Sequence, residues 1–133
     1  MSGRVMSAMT QSLEDYIEAI YVLIADGRSA QVSDVARCRS VTKPSVVKAI
    51  GELKKLELVS HERYAPITLT PKGMRLARVV LNRHRLIRSF LLKLGVSTGN
   101  ADKDACLMEH ILSAETLDKI REYTEKHKDE KSD

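Results

Sequence analysis

The sequence predicts a mainly α-helical protein: a winged helix-turn-helix domain followed by an α-helical dimerisation domain. Two short helices joined by a tight turn occupy Val32 to Leu58, and a β-rich hairpin follows at once. A long helix from Thr70 to Gly95 then carries more apolar surface than one small core needs.

A first helix is expected over about Ser12 to Asp26, with Ser12 as N-cap, Glu14 and Asp15 in the favourable first turn, and Gly27 as its stop. Leu13, Tyr16, Ile17, Ile20, Tyr21 and Ile24 recur at helical spacing and mark its core face. Asp15 and Glu18 stand one turn apart on another face, where a pair of carboxylates is ordinarily just solvated.

In VSDVARCRSVTKPSVVKAIGELKKLEL, apolar Val32, Val35 and Ala36 give way to Arg39 and Ser40. Thr42 then stands as an N-cap with Pro44 in a new first turn. The second helix has the apolar stripe Val46, Ile50, Leu53 and Leu56, which turns Thr42, Lys43, Ser45, Val47, Lys48, Glu52 and Lys55 outward. Hydroxyls, amines and a branched methyl are the groups that meet phosphates, base edges and the thymine methyl in a major groove. An antiparallel helix pair with a solvated lysine face would show the same spacing. The next segment tilts the reading towards DNA: Val59 to Glu62 and Ile67 to Leu69 are rich in β-formers and flank a turn at Arg63, Tyr64, Ala65 and Pro66, which makes a wing. Thr42, Pro44, Ser45 and Lys48 are therefore expected to contact the operator, with Lys43 and Lys55 as positioning charges and Arg63 and Tyr64 at the wing tip.

Thr70-Pro71 starts and Gly95 ends a helix of about 24 residues, roughly 36 Å at the standard rise. Leu76, Val79, Val80, Leu86, Ile87, Phe90, Leu91 and Leu94 cover more than one of its faces, so part of it is expected against a second subunit of a homodimer. His84 lies beside this surface, as a hydrogen-bonded filler or as a ligand. In NADKDACLMEHIL, Cys106, Glu109 and His110 fall at i, i+3 and i+4, so thiol, carboxylate and imidazole are expected on one helical face. Such donors can fill part of the coordination sphere of a first-row metal, with His84 as one more. A surface Glu-His pair beside a small buried cysteine fits the same spacing. Ser113 caps a last helix with the stripe Leu117, Ile120 and Tyr123.

The whole chain, 133 residues with a formal net charge of +4, suits one domain with a small appended helical unit and an anionic partner. Two distant cysteines form no disulfide framework and fit a reducing cytoplasm, while a single Phe and no Trp argue against base-stacking RNA modules. No run is long and apolar enough for a membrane span, and Met1 to Thr10 reads as a loose leader without a signal-peptide core. The expected division is 1-75 for the DNA-binding domain, 76-127 for metal binding and dimerisation, and 128-133 as an unstructured tail.

From about Thr10 to His127 the chain resembles the metal-dependent repressors of the diphtheria-toxin-repressor and manganese-transport-regulator family. The resemblance rests on SLEDYIEAIYVL, VSDVARCRSVTKPSVVKAI, the hairpin leading into LTPKG, NRHRLI and DACLMEHILS, in that order. It implies a winged-helix domain joined by a long helix to a dimerisation domain, with divalent metal bound between them. Asp15 takes the first-helix ligand position, where manganese-type members carry aspartate and iron-type members methionine. Glu18 matches a further manganese-type ligand, and His84, Cys106, Glu109 and His110 match the remaining ones. At Cys106 the manganese type carries glutamate, so this donor set is a hybrid that admits Mn2+ first, then Fe2+ or Zn2+. Arg88 and Asp102 stand where iron-type members have the glutamate and histidine of an ancillary site, which speaks against that second metal. The chain also ends before a barrel-like third domain, as in the short manganese-regulator form.

The implied function is a metal-activated repressor of metal-uptake genes that binds double-stranded operator DNA, acts on no small-molecule substrate and no membrane, and works in the cytoplasm. Two other classes compete for the same residues. A thiol-based redox sensor would use Cys106 on the winged scaffold, with Glu109 dispensable. A metallohydrolase would need an open metal position and a substrate pocket, and no phosphate loop, nucleophile motif or second acid–base pair accompanies the site, so no enzyme is expected.

Overall fold

The computed structural model describes residues 10 to 127, so the expectations for the leader and for the 128-133 tail lie outside the described residues. Between Arg78 and Val79 the chain divides into two compact units.

The first unit opens with α1 (Gln11–Ala25). Its N-cap is Thr10 rather than Ser12: Thr10 has extended backbone, and its hydroxyl accepts the Leu13 N–H at 3.1 Å, which makes Ser12 a first-turn residue. Leu13, Tyr16, Ile17, Ile20 and Leu23 are buried, while Tyr21 and Ile24 sit at the margin of the core. Glu14 stands in the first turn as expected, and is buried too. α2 (Val32–Arg39) starts with a capping box between Gln31 and Asp34 and ends where Ser40 turns left-handed, with φ 57°. α3 (Lys43–Lys55) begins at the Thr42 cap, whose oxygen accepts the Ser45 N–H at 3.3 Å, with Pro44 in its first turn. These helices pack on one another, and Val35, Val46, Ala49, Ile50 and Leu53 are buried among them.

The wing is shorter than its sequence suggests. β1 (Val59–Ser60) and β2 (Thr68–Leu69) pair antiparallel with Val59 opposite Leu69 and Ser60 opposite Thr68. Beyond Ser60 the ladder stops because Pro66 has no N–H to give and the Ile67 N–H turns away to the Ala30 carbonyl at 2.8 Å. That bond ties the wing base to the α1–α2 connection.

α4 (Pro71–Lys93) starts where expected. The Thr70 hydroxyl accepts the Gly73 N–H at 3.0 Å and donates to the Glu57 carbonyl at 2.7 Å, fixing the helix start to the turn after α3. At Gly73 the backbone comes against Leu58 so closely that a Cβ would lie 1.9 Å from the Leu58 carbonyl oxygen. Gly95, with φ 99°, ends the helix.

The second unit holds the rest of α4 with α5 (Thr98–Met108) and α6 (Ala114–Lys126). Ile87 and Leu91 of α4 pack with Ala101 and Ala105 of α5 in its core, where the two alanines let the helices approach closely. Phe90, Leu92, Val96, Met108, Leu112 and Leu117 pack around this cluster, and Tyr123 of α6 meets Phe90 edge-to-face at 5.6 Å. One expectation needs correction. The helix stops at Met108, so Cys106, Glu109 and His110 do not share one continuous helical face: Glu109 is the C-cap, and His110 lies in the turn that follows. The His110 N–H points to Leu107 O at 3.4 Å and the Ile111 N–H to Met108 O at 3.1 Å, a tightened last turn that swings the chain towards the Ser113 cap of α6. Among the described residues no helix is long and apolar enough to cross a membrane.

Candidate metal centre and nucleic-acid interface

In the second unit the candidate ligands gather around Glu109. Its side chain is fully buried, although it ends a helix rather than filling a core position. Oε1 is 2.9 Å from Nδ1 of His84, a residue twenty-five positions earlier on α4. Oε2 lies 3.7 Å from Nε2 of His110, too far for a hydrogen bond, and has no hydrogen-bond partner among the described residues. A buried carboxylate with one oxygen unsatisfied is costly unless a cation or a proton stands beside it. Imidazole nitrogens beside the two oxygens of this carboxylate are donors suited to a divalent transition metal, so this donor set fits one. His110 is almost fully buried, with its side chain 4% exposed, and His84 is partly covered. Cys106 is half-buried on the last turn of α5.

In the first unit Asp15 and Glu18 lie one turn apart on α1, both half-buried. Asp15 has a partner that nothing in the sequence announces: Arg39, the last residue of α2, places Nη2 3.3 Å from Oδ2. Arg88 and Asp102, read as departures from an iron-type ancillary site, are hydrogen-bonded to each other through Nε and Oδ1. Each satisfies the other, an arrangement with a cation already supplied by the protein.

The candidate DNA-contacting residues of the first unit are exposed one by one. Thr42, Lys43, Pro44, Ser45 and Lys48 at the start of α3, and Lys55 at its end, are all exposed. The Thr42 and Ser45 hydroxyls are also 2.9 Å from each other, so they hold the cap as well as facing solvent. Two lysines that charge counting alone would add to these residues are instead braces: Lys54 Nζ donates to the His61 carbonyl at 3.2 Å, and Lys72 Nζ to that of Leu56 at 3.1 Å. At the wing tip Tyr64 is 87% exposed with a left-handed φ of 66°, and the Arg63 guanidinium stacks over its ring at 5.1 Å. A non-glycine residue held in that conformation with its ring in solvent contributes nothing to the core.

Comparison with known proteins matches both regions of the chain to one family. Residues 8–66 match the iron dependent repressor N-terminal DNA binding domain, and residues 70–131 the iron dependent repressor metal binding and dimerisation domain. The HTH-type transcriptional regulator MntR of Geobacillus kaustophilus is 42% identical over 111 residues, covering 84% of this chain and 79% of that protein. An uncharacterised HTH-type transcriptional regulator of Methanocaldococcus jannaschii is 37% identical over 123 residues, covering 91% of this chain and 98% of its own length. Among solved structures, the manganese regulator SloR superposes with a TM-score of 0.77 at 29% identity, over 88% of this chain and 55% of that one. The T. acidophilum IdeR structure gives a TM-score of 0.71 at 28% identity, over 83% of this chain and 52% of that one. This chain thus spans about half the length of those solved chains.

Proposed function

Since this chain belongs to the iron dependent repressor family, matched in its DNA-binding and its metal-binding and dimerisation regions, we propose that it represses metal-uptake genes in the cytoplasm as a homodimer, with Mn2+ as its activating ion. It is a metal-dependent, DNA-binding transcriptional regulator. The observation that carries the choice of site is the buried Glu109, with one oxygen against His84, the other unpartnered among the described residues, and His110 beside it. His84, Cys106, Glu109 and His110 would hold the ion together with Asp15 and Glu18 of the DNA-binding unit. Support for manganese comes from the carboxylates at positions 15 and 18 and from the similarity to the manganese regulator SloR. Fe2+ and Zn2+ remain rivals through the Cys106 thiol.

When bound, the ion supplies the positive charge that lets several carboxylates stand together. The chain's own residues do the rest. Asp15 and Glu18 ride on α1, which packs on α2 and α3, so ordering those carboxylates orders the recognition helix. A two-fold dimer binds tightly only when its recognition helices sit about one turn of B-DNA apart, roughly 34 Å, or a multiple of that. Thr42, Pro44, Ser45 and Lys48 then meet the major groove, Lys43 and Lys55 the backbone, and Arg63 and Tyr64 the phosphates or minor groove beside it.

The dimer needs an apolar face on the second unit. Leu94 is 56% exposed beside Phe90, Ile120 and Tyr123, which together line an open groove between α4 and α6. Leu94→Glu is expected to turn the dimer into a monomer in light scattering after size exclusion; an unchanged mass would remove this groove from the interface.

A titration of operator DNA from upstream of a transporter gene with Mn2+, Fe2+ and Zn2+ in turn, under reducing anaerobic conditions, tests the function. Affinity is expected to rise with a divalent ion and to stay level when peroxide is added without metal. In the same assay Lys48→Ala should weaken operator binding by about 1–3 kcal/mol and relax sequence preference, while leaving metal affinity unaltered. Unchanged affinity would take Lys48 off the DNA.

A further inference from the structure

We propose that Arg39 sets the metal threshold of this regulator: its guanidinium, held on Asp15, raises the cation concentration at which the site loads. The proposal rests on the reading of Asp15 as a ligand. Arg39 Nη2 lies 3.3 Å from Asp15 Oδ2, and the pair is sheltered, with Asp15 only 11% exposed and Arg39 34%. Arg39 Nε is buried and has no hydrogen-bond partner among the described residues, so the guanidinium is placed to face the carboxylate rather than to satisfy all of its own donors.

Two consequences follow from elementary electrostatics. A carboxylate oxygen that already accepts from a guanidinium is a poorer donor to a second cation. A divalent ion on Asp15 would also stand within a few ångströms of a fixed positive charge, and a pair carrying +1 and +2 about 6 Å apart repels by roughly a factor of ten in binding even at the dielectric of water. Loading therefore works against Arg39. The same contact joins the ligand-bearing helix α1 to the last residue of α2, next to the left-handed Ser40 that opens the turn into α3.

The test is the Mn2+ affinity of the full-length protein, measured by competition with a fluorescent chelator in the absence of DNA, for wild type, Arg39→Gln, Arg39→Lys and Asp15→Asn. Arg39→Gln is expected to bind Mn2+ roughly tenfold more tightly, and Arg39→Lys to return towards wild type, because the charge and not the packing sets the threshold. A residue that merely braced α2 would not produce tightening with rescue by lysine. Should Arg39→Gln lose helical circular dichroism, Arg39→Leu, which keeps an apolar stem, is measured in its place with the same expectation. If neutral residues at position 39 leave Mn2+ affinity unchanged or weaker while Asp15→Asn weakens it, the threshold proposal is overturned and Asp15 stands as a ligand. If Asp15→Asn leaves Mn2+ affinity unchanged, the ligand reading falls, and the threshold proposal with it.

Discussion

His110→Ala is expected to abolish the Mn2+-dependent rise in operator affinity while the protein stays folded and dimeric. The imidazole is 4% exposed and stands 3.7 Å from Oε2 of Glu109, so the substitution removes a donor from beside a buried carboxylate oxygen that lacks a hydrogen-bond partner among the described residues. Couplings between an effector and a ligand are typically about 1–3 kcal/mol, a 5- to 150-fold change in affinity. In the variant that ratio should fall to near one. Affinity without metal should hardly move, because the residues proposed to face DNA lie on α3 and the wing. Fluorescence anisotropy of labelled operator with and without Mn2+ reads the ratio, and light scattering reads the dimer. A variant whose operator affinity still rose with Mn2+ would place the ion elsewhere.

Gly73→Ala should cost the DNA-binding unit about 3 kcal/mol or more, with a fall in melting temperature of roughly 10 °C or more. An alanine in the first turn of a helix would ordinarily stabilise, by about 0.5–1 kcal/mol. Here the added Cβ would lie 1.9 Å from the Leu58 carbonyl oxygen and 2.9 Å from its carbon, both backbone atoms that cannot swing aside. Relief requires α4 to lift from Leu58, which breaks the bond from the Thr70 N–H to the Leu58 carbonyl at 3.1 Å and strains the one from the Thr70 hydroxyl to Glu57. Both anchor the wing. Operator affinity should therefore drop along with stability, and a melting temperature at or above wild type would show that the contact is looser than it stands.

These residues also show how far the sequence could be read. Helical periodicity located α1, α2, α3, α4 and α6, because apolar spacing, caps at Thr42 and Ser113, and stops at Gly27 and Gly95 act over a few residues. Competition between neighbours was harder to see: Thr10 and Ser12 are both good caps, and Thr10 wins. The i, i+3, i+4 spacing of Cys106, Glu109 and His110 assumed a helix running through all of them, whereas the chain leaves the helix at Met108 to reach the next cap. Contacts made only after packing left no local trace. His84 meets Glu109 across twenty-five positions and Arg39 meets Asp15 across twenty-four, and no periodicity connects such residues. Family resemblance pointed to His84 and Glu109, since both lie in recognisable motifs. Arg39 was legible in neither way, because it reads as the residue that breaks α2.

Diffraction from crystals grown with Mn2+, with data collected on both sides of the manganese absorption edge, tests the ligand assignment most directly. A strong anomalous peak bonded to Glu109 and His110, with His84, Cys106, Asp15 and Glu18 turned towards it, is the expected result. A peak bonded to other residues, or none at all with Glu109 Oε2 still unpartnered, would contradict it.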